Sequence, residues 1–374
     1  MKIIINSAHQ RFGGAIQVVL SFINECRNFP QHEYYIWAGD GLSKLVDPAD
    51  FPDNFHFQFF SFGPITIWKA FKINSVLKLA EHRIKPDVII ATSGPSYFHS
   101  ASPQILGYNL PLYVYEESPF VKQLSFYREA RRRIKKYLHF YFFKRDLTAL
   151  VVQTDDVNQR VRKALNVNNV YTVTNTASSY YSSYDKYPKK LPKKEVNQFR
   201  FITISSYYGH KNLEIIPKVL TILESRGVKN IQFVLTLKKE DFENKIGCHP
   251  SIINIGPIKP AECPSLYSEC DAMFLPTLAE CFSASYPEAM VMEKPIVTTD
   301  LGFARSICGE AALFYEAKNS KAAADQIERL INDKDLQDSL IANGKEQLKT
   351  FDSPQERARK YIALCESLVK VSTE

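Results

Sequence analysis

At 374 residues the chain exceeds what one hydrophobic core usually organises, and 45% hydrophobic against 23% charged residues excludes the disordered and fibrous classes. Seven cysteines (Cys26, Cys248, Cys263, Cys270, Cys281, Cys308, Cys365), odd in number and never spaced Cys-x-x-Cys, argue against a disulfide framework or zinc site and for a reducing compartment. The net charge of +7 is local: residues 122–145 hold nine Lys/Arg against one acid, Glu129, a net of +8 that leaves −1 for the remainder, so a local anionic partner is indicated.

In chain order, apolar runs alternate with helix-period segments almost throughout, the pattern of α/β layers with largely parallel sheets. The opening run, residues 1–6, is too short for a signal peptide and reads as a buried strand over 2–6. No stretch approaches the roughly 18 apolar residues of a spanning helix. Phe12-Gly13-Gly14 then precedes a helix over 15–27; glycines there let backbone approach a ligand closely, although a plain turn has the same signature. Further strands are expected at 34–38, 88–92, 112–115 and 149–152, with a helix over 68–82. Within 122–145, Ile134, Leu138, Tyr141 and Phe142 recur at i, i+4, i+7 and i+8 among Arg131, Arg132, Arg133, Lys135 and Lys136, which predicts one amphipathic helix lying on an anionic membrane surface.

The stretch 178–198 is aperiodic and dense in Ser, Tyr, Pro and Lys, and 181–198 reads as the connection between an N-terminal domain, 1–180, and a second domain, 199–352. Strands follow at 201–205, 232–237, 272–275 and 296–299, then helices over 320–332, 336–350 and 354–371, the last, in 353–374, expected to pack back on the first domain. Phe274 to Met290 (FLPTLAECFSASYPEAM) is the most informative segment. A strand ends at Leu275, a loop carries Glu280, and a helix begins near Ser285 with Pro287 in its first turn. Amides at a helix start attract anions, and Glu280 and Glu288 add two carboxylates, which suits a ligand with both phosphates and hydroxyls. Asp333-Lys334-Asp335 falls between two helices and reads as a cap, not as a metal site.

Glu280 and Glu288, followed by Met290, Lys294-Pro-Ile-Val-Thr-Thr-Asp300 and Cys308-Gly309, resemble glycosyltransferase family 4, whose donor domain carries E-x7-E, EAM, KPIVT and a Gly-bearing turn. The resemblance covers most of residues 201–368. It implies the GT-B fold, two doubly wound Rossmann-like domains facing a central cleft, and a retaining transfer from a nucleotide-sugar. Carried over, Glu288 takes the ribose hydroxyls and Glu280 the donor sugar. Phe282, Ser283, Ala284 and Ser285 meet sugar and diphosphate through their amides. Lys211, in the loop Ser205-Ser-Tyr-Tyr-Gly-His-Lys-Asn212, matches the family lysine that neutralises the leaving diphosphate. Ser205 or Ser206 stands where the family has arginine, which shifts weight to Lys211 or His210. Gly13 and Gly14 resemble the family's N-terminal glycine loop. Glu117, in Tyr115-Glu-Glu-Ser-Pro-Phe120, replaces a histidine and either contacts sugar, acts as a base, or is an exposed acidic turn.

The implied protein is a hexosyltransferase using a UDP- or GDP-sugar and a glycan or lipid-linked glycan acceptor in capsule, O-antigen or lipopolysaccharide assembly. It would be cytoplasmic and peripheral on the inner face of the cell membrane, with no cofactor or metal, the nucleotide-sugar being a substrate. Two alternatives stay open: a nucleotide-sugar epimerase or phosphorylase on the same kind of scaffold, and a non-enzymatic protein whose basic run binds nucleic acid. No recognised nucleic-acid motif accompanies that run, and no nucleic-acid partner is expected.

Overall fold

The computed structural model describes residues 1–11, 13–182 and 187–373. They form two compact units, one of residues 1–114, 124–175 and 352–374, the other of 115–123 and 176–351.

The first unit carries β1 (Lys2–Ser7), α1 (Gly14–Cys26), β2 (Glu33–Ala38), β3 (Phe55–Phe59), α2 (Ile67–Ile84), β4 (Val88–Ala91) and β5 (Gln104–Gly107). The chain then forms a short helix, α3 (Pro119–Lys122), in the second unit, and returns with α4 (Phe126–Asp146), β6 (Ala149–Val152), α5 (Asp155–Leu165) and β7 (Val170–Thr172). Among the described residues the strands pair in parallel in the order β3-β2-β1-β4-β5-β6-β7. Isoleucine and valine fill β1 and β4 because a sheet covered on both faces buries both sides of its central strands. Ile3, Ile5, Val88 and Ile90 pack with α1 and the C-terminal helix, whereas the alternating Ile4 and Ile89 pack with Ile73, Leu77 and Ala80 of α2. Alternation along a strand therefore puts α1 and α2 on opposite faces. Thr66 caps α2 by accepting from the Lys69 amide, and Lys85 ends it in the left-handed conformation.

The second unit runs β8 (Phe199–Thr203), α6 (Ile215–Ser225), β9 (Ile231–Leu235), α7 (Lys239–Lys245), β10 (Ile252–Asn254), α8 (Cys263–Ser268), β11 (Ala272–Leu275), α9 (Ser285–Val291), β12 (Ile296–Thr299), α10 (Gly302–Cys308), β13 (Ala312–Tyr315), α11 (Ser320–Asn332) and α12 (Lys334–Leu348). Its parallel sheet has the order β10-β9-β8-β11-β12-β13 around a core of Phe201, Phe233, Phe274, Val219 and Ile327. Asp333 caps α12 by accepting from the Leu336 amide at 2.8 Å.

Three expectations are corrected. Residues 112–115 are not a strand: a 3-10 turn spans Pro111–Tyr113, and the fixed φ of proline suits the first position of such a turn. The strand of that region is β5, whose Gln104-Ile-Leu-Gly107 is bounded by a polar residue and a glycine and so lacks the unbroken apolar run of β4 or β6. The basic segment is not one helix from 122 to 145 either, because Lys122 ends α3 and α4 starts at Phe126. Nor is 134-138-141-142 a single stripe. Phe142 packs inward with Phe143, Arg132 and Asp146, whereas Ile134 and Tyr141 face water. His139 also turns inward, its ring nitrogens each 3.2 Å from the Tyr97 and Tyr113 hydroxyls, and burial lowers its pKa to about 4.

The closing helix α13 (Pro354–Thr373) lies against α1 in the first unit. Its Arg357 is buried and gives Nη1 to Asn175 Oδ1 at 2.6 Å and Nη2 to Ser21 Oγ at 2.8 Å. Arg357→Met should therefore lower unfolding free energy by about 1.5–3 kcal/mol, the range for a hydrogen bond to a charged group. Urea unfolding followed by circular dichroism measures it, and an unchanged midpoint contradicts the assignment.

Candidate active site

In a parallel sheet all carboxyl ends share one edge, and ligand sites of doubly wound folds lie there. In the second unit the loops after β8 and β11 meet at that edge. Leu278 N donates to the His210 carbonyl at 2.7 Å, and Ser118 Oγ donates to the Leu278 carbonyl at 2.7 Å. Three threonines fasten the end of β11: Thr203 Oγ1 to Phe274 O at 2.5 Å, Thr298 Oγ1 to Leu275 O at 2.7 Å and Thr299 Oγ1 to Thr277 O at 2.7 Å. Tyr286 of α9 adds its hydroxyl to Thr298 at 2.8 Å, which ties the helix start to the same strand end.

On this frame Lys211 and Glu280 form an ion pair, Nζ to Oε1 at 2.5 Å, with side chains only 15% and 12% exposed. Thr277 Oγ1 donates to the same carboxylate oxygen at 3.0 Å. A paired, mostly desolvated lysine is a fixed positive group, not a waving surface charge. His210 lies beside it between the rings of Tyr208 and Phe120, and burial lowers its pKa further than Glu280 raises it, leaving a neutral imidazole. Ser205 directs its amide to Thr236 Oγ1 at 3.1 Å.

Glu288 lies in the first turn of α9, among Tyr181, Cys263 and Tyr267. Burial raises its pKa from the ordinary 4.5 to about 7, partly opposed by the Tyr181 hydroxyl. Ser283 is buried and its carbonyl accepts from the Tyr286 amide; Phe282 meets the edge of Phe351, and Ala284 and Ser285 open α9. Glu117 is exposed, but its neighbour Ser118 fixes the 115–123 segment to the loop of Glu280, so the structure brings these loops together in one unit. Gly13 and Gly14 belong to the other unit. Gly13 has φ +90°, a conformation that favours glycine, a Cβ on Gly14 would meet nothing within 4 Å, and Phe12 lies outside the described residues. Tyr181, Thr277 and Ser118 were missed as site residues. A tyrosine in an aperiodic stretch, a loop threonine and a loop serine carry no spacing signal. Among the described residues no group of three His, Cys, Asp or Glu is placed to hold a metal ion.

Residues 184–347, which include both Glu280 and Glu288, match the family model described as glycosyl transferases group 1. The fold is GT-B, built of two parallel-sheet α/β Rossmann-like domains. Sucrose-phosphate synthase from Thermosynechococcus elongatus superposes with a TM-score of 0.75 at 13% identity, over 99% of this chain and 100% of that one. Anabaena HepE in complex with UDP-glucose superposes at 0.67 and 13% identity, over 97% and 99%. The capsular polysaccharide biosynthesis glycosyltransferase CapM of Staphylococcus aureus is 24% identical over 244 residues, 59% of this chain, and the match spans 64% of CapM.

The Glu288 carboxyl ionises near pH 4.5 when unfolded and near 7 when folded. Its raised value means that the unfolded chain sheds the proton first, so stability present below pH 4.5 is lost as pH rises to about 7. Glu288→Gln escapes that loss. The melting temperature of the variant relative to wild type should climb between pH 4.5 and 7 and level off above; parallel curves across that window contradict the buried carboxyl.

Proposed function

We propose that this protein is a retaining, family 4-like hexosyltransferase that moves a sugar from a UDP- or GDP-sugar to a glycan or lipid-linked glycan in the assembly of a cell-surface polysaccharide such as capsule, O-antigen or lipopolysaccharide. The Lys211–Glu280 pair at the carboxyl ends of β8 and β11 carries the reading. A diphosphate leaving group gains negative charge as the glycosidic bond breaks, and a cation already held in place stabilises it with little reorganisation. Lys211 supplies that charge, with amides of residues 282–285, and no metal is required. Glu280, fixed by Lys211 and Thr277, orients donor hydroxyls. Glu288 takes the ribose diol. Glu117 reaches the sugar from the 115–123 loop, and Gly13 and Gly14 give the first unit a loop whose backbone can approach a ligand closely. The names of CapM and HepE, a capsular polysaccharide enzyme and a UDP-glucose complex, support the polysaccharide and UDP parts of the proposal.

The enzyme works at the inner face of the cell membrane, held by α4. Among the described residues no helix is long and apolar enough to cross a membrane. Outward positions of α4 carry Arg128, Arg131, Arg133 and Lys135, and each such residue near an anionic surface contributes on the order of 1 kcal/mol. Arg132 is not among them. It is buried, chelates Glu129 with two bonds of 2.7 Å and donates to the Leu112 carbonyl.

Thermal shift across UDP-, GDP-, CMP- and dTDP-sugars identifies the donor, since a ligand of the folded state raises the melting temperature. With that donor, Lys211→Ala and Glu280→Ala should each lose about 10²–10³-fold in kcat while retaining the wild-type circular dichroism spectrum. Wild-type turnover in both variants contradicts the site. Changing Arg131, Arg133 and Lys135 to Glu should abolish co-sedimentation with anionic vesicles. Wild-type protein that ignores such vesicles at low salt removes the membrane from the proposal.

A further inference from the structure

α4 is not alone on its side of the first unit. Tyr97, packed on the cluster that holds α2 to the sheet, also meets Phe142 and His139 of α4. The loop behind it joins the two helices. His99 donates its amide to Asn74 of α2 at 2.8 Å, and its ring lies 3.5 Å from Asp146 of α4. α2 buries Ala70, Ile73, Leu77 and Ala80, and turns Trp68 (80% exposed), Phe71 and Leu79 to water. On α4, Tyr127, Ile134 and Tyr141 recur at seven-residue spacing with Tyr137 between them, and all four face water, as does Phe126 at the helix start (91% exposed).

Charge makes the surface one-sided. The two helices contain three acids in all, and none is left as a free outward carboxylate. Glu81 turns inward to accept from Ser100 Oγ and the amides of Ala101 and Ser102. Asp146 is buried against Arg145. Glu129 is gripped by Arg132 and Arg133, which hold its pKa down to about 2. Lys72, Lys78 and Arg83 of α2 and Arg128, Arg131, Arg133, Lys135 and Lys144 of α4 remain exposed. Large apolar side chains, aromatic ones foremost, flanked by cations complement an anionic bilayer: the cations meet headgroups and the rings enter the boundary with the acyl chains.

We infer that α2 is a second membrane-binding element and that Trp68, Phe71 and Leu79 insert into the bilayer, while α4 supplies most of the electrostatic attraction. The inference rests on the membrane reading of α4 and adds to it an insertion step by a different helix. α4 draws the protein to anionic lipid, and α2 makes the attachment resistant to salt.

The chain has two tryptophans, and Trp37 is fully buried, so a change in tryptophan emission on adding vesicles reports Trp68. With phosphatidylcholine vesicles containing phosphatidylglycerol, emission should shift to the blue and acrylamide quenching should fall; Trp68→Phe should abolish both changes and still bind. Changing Trp68, Phe71 and Leu79 to Ser should weaken partitioning on the order of tenfold or more, chiefly at high salt, with UDP-sugar thermal shifts unchanged. Binding without any blue shift, and a triple variant that partitions like wild type, overturn the role of α2 and leave α4 standing. No binding to anionic vesicles overturns both.

Discussion

A lysine and a glutamate 69 residues apart, both largely withdrawn from water, are tolerable only because they meet. Removing either partner strands a charge, so the loops after β8 and β11 hold one relative geometry. Everything else at that edge reinforces the constraint. Threonines of β8 and β12 take up the carbonyls at the end of β11, Tyr286 extends the network into α9, and Ser118 brings the 115–123 segment onto the same loop. The pair is thus both a structural clamp and a preformed electrostatic environment. For a reaction that develops negative charge on a leaving group, those are one property, since a dipole or charge that is already fixed costs no reorganisation when the charge appears.

Glu288 shows the opposite economy. Among the described residues no cation is set against its carboxyl, and burial works against ionisation, so the site carries a group that disfavours the folded state near neutrality. A buried, poorly matched carboxyl has a reason to persist where a ligand completes its hydrogen bonding, and that is the role proposed for Glu288. Tyr181 shares that position. It reaches Glu288 from the start of the second unit, its buried hydroxyl set against that carboxyl.

In the first unit, neutralisation of acids organises the surface more than the placing of bases does. Glu81, Glu129 and Asp146 are each consumed by a loop, an arginine pair or burial, and the helices they belong to present exposed cations and large apolar groups. Arg132 illustrates why counting charges along a helix misleads: in sequence it is one of a run of three arginines, in space it is a core residue.

The sequence by itself determined the alternation of strands and helices, the strand starts at Lys2 and Ala149, the pairing of Glu280 with a short helix bearing Glu288, and the basic character of 122–145. These are legible because β-branched runs, helical periods and charge are properties of neighbours along the chain. It did not determine β3, β5, β7, β10 or β13, which are three to five residues long and become strands only because a ladder partner is waiting. Nor could it say that 112–115 turns, which of four helix-spaced residues in α4 face inward, that Lys211 bonds Glu280, or that Tyr181 lies on Glu288. Each of those depends on which surface a side chain meets after the sheets have formed. Periodicity defines a face but not its partner, and contacts across 69 or 107 residues leave no mark on the spacing of either residue.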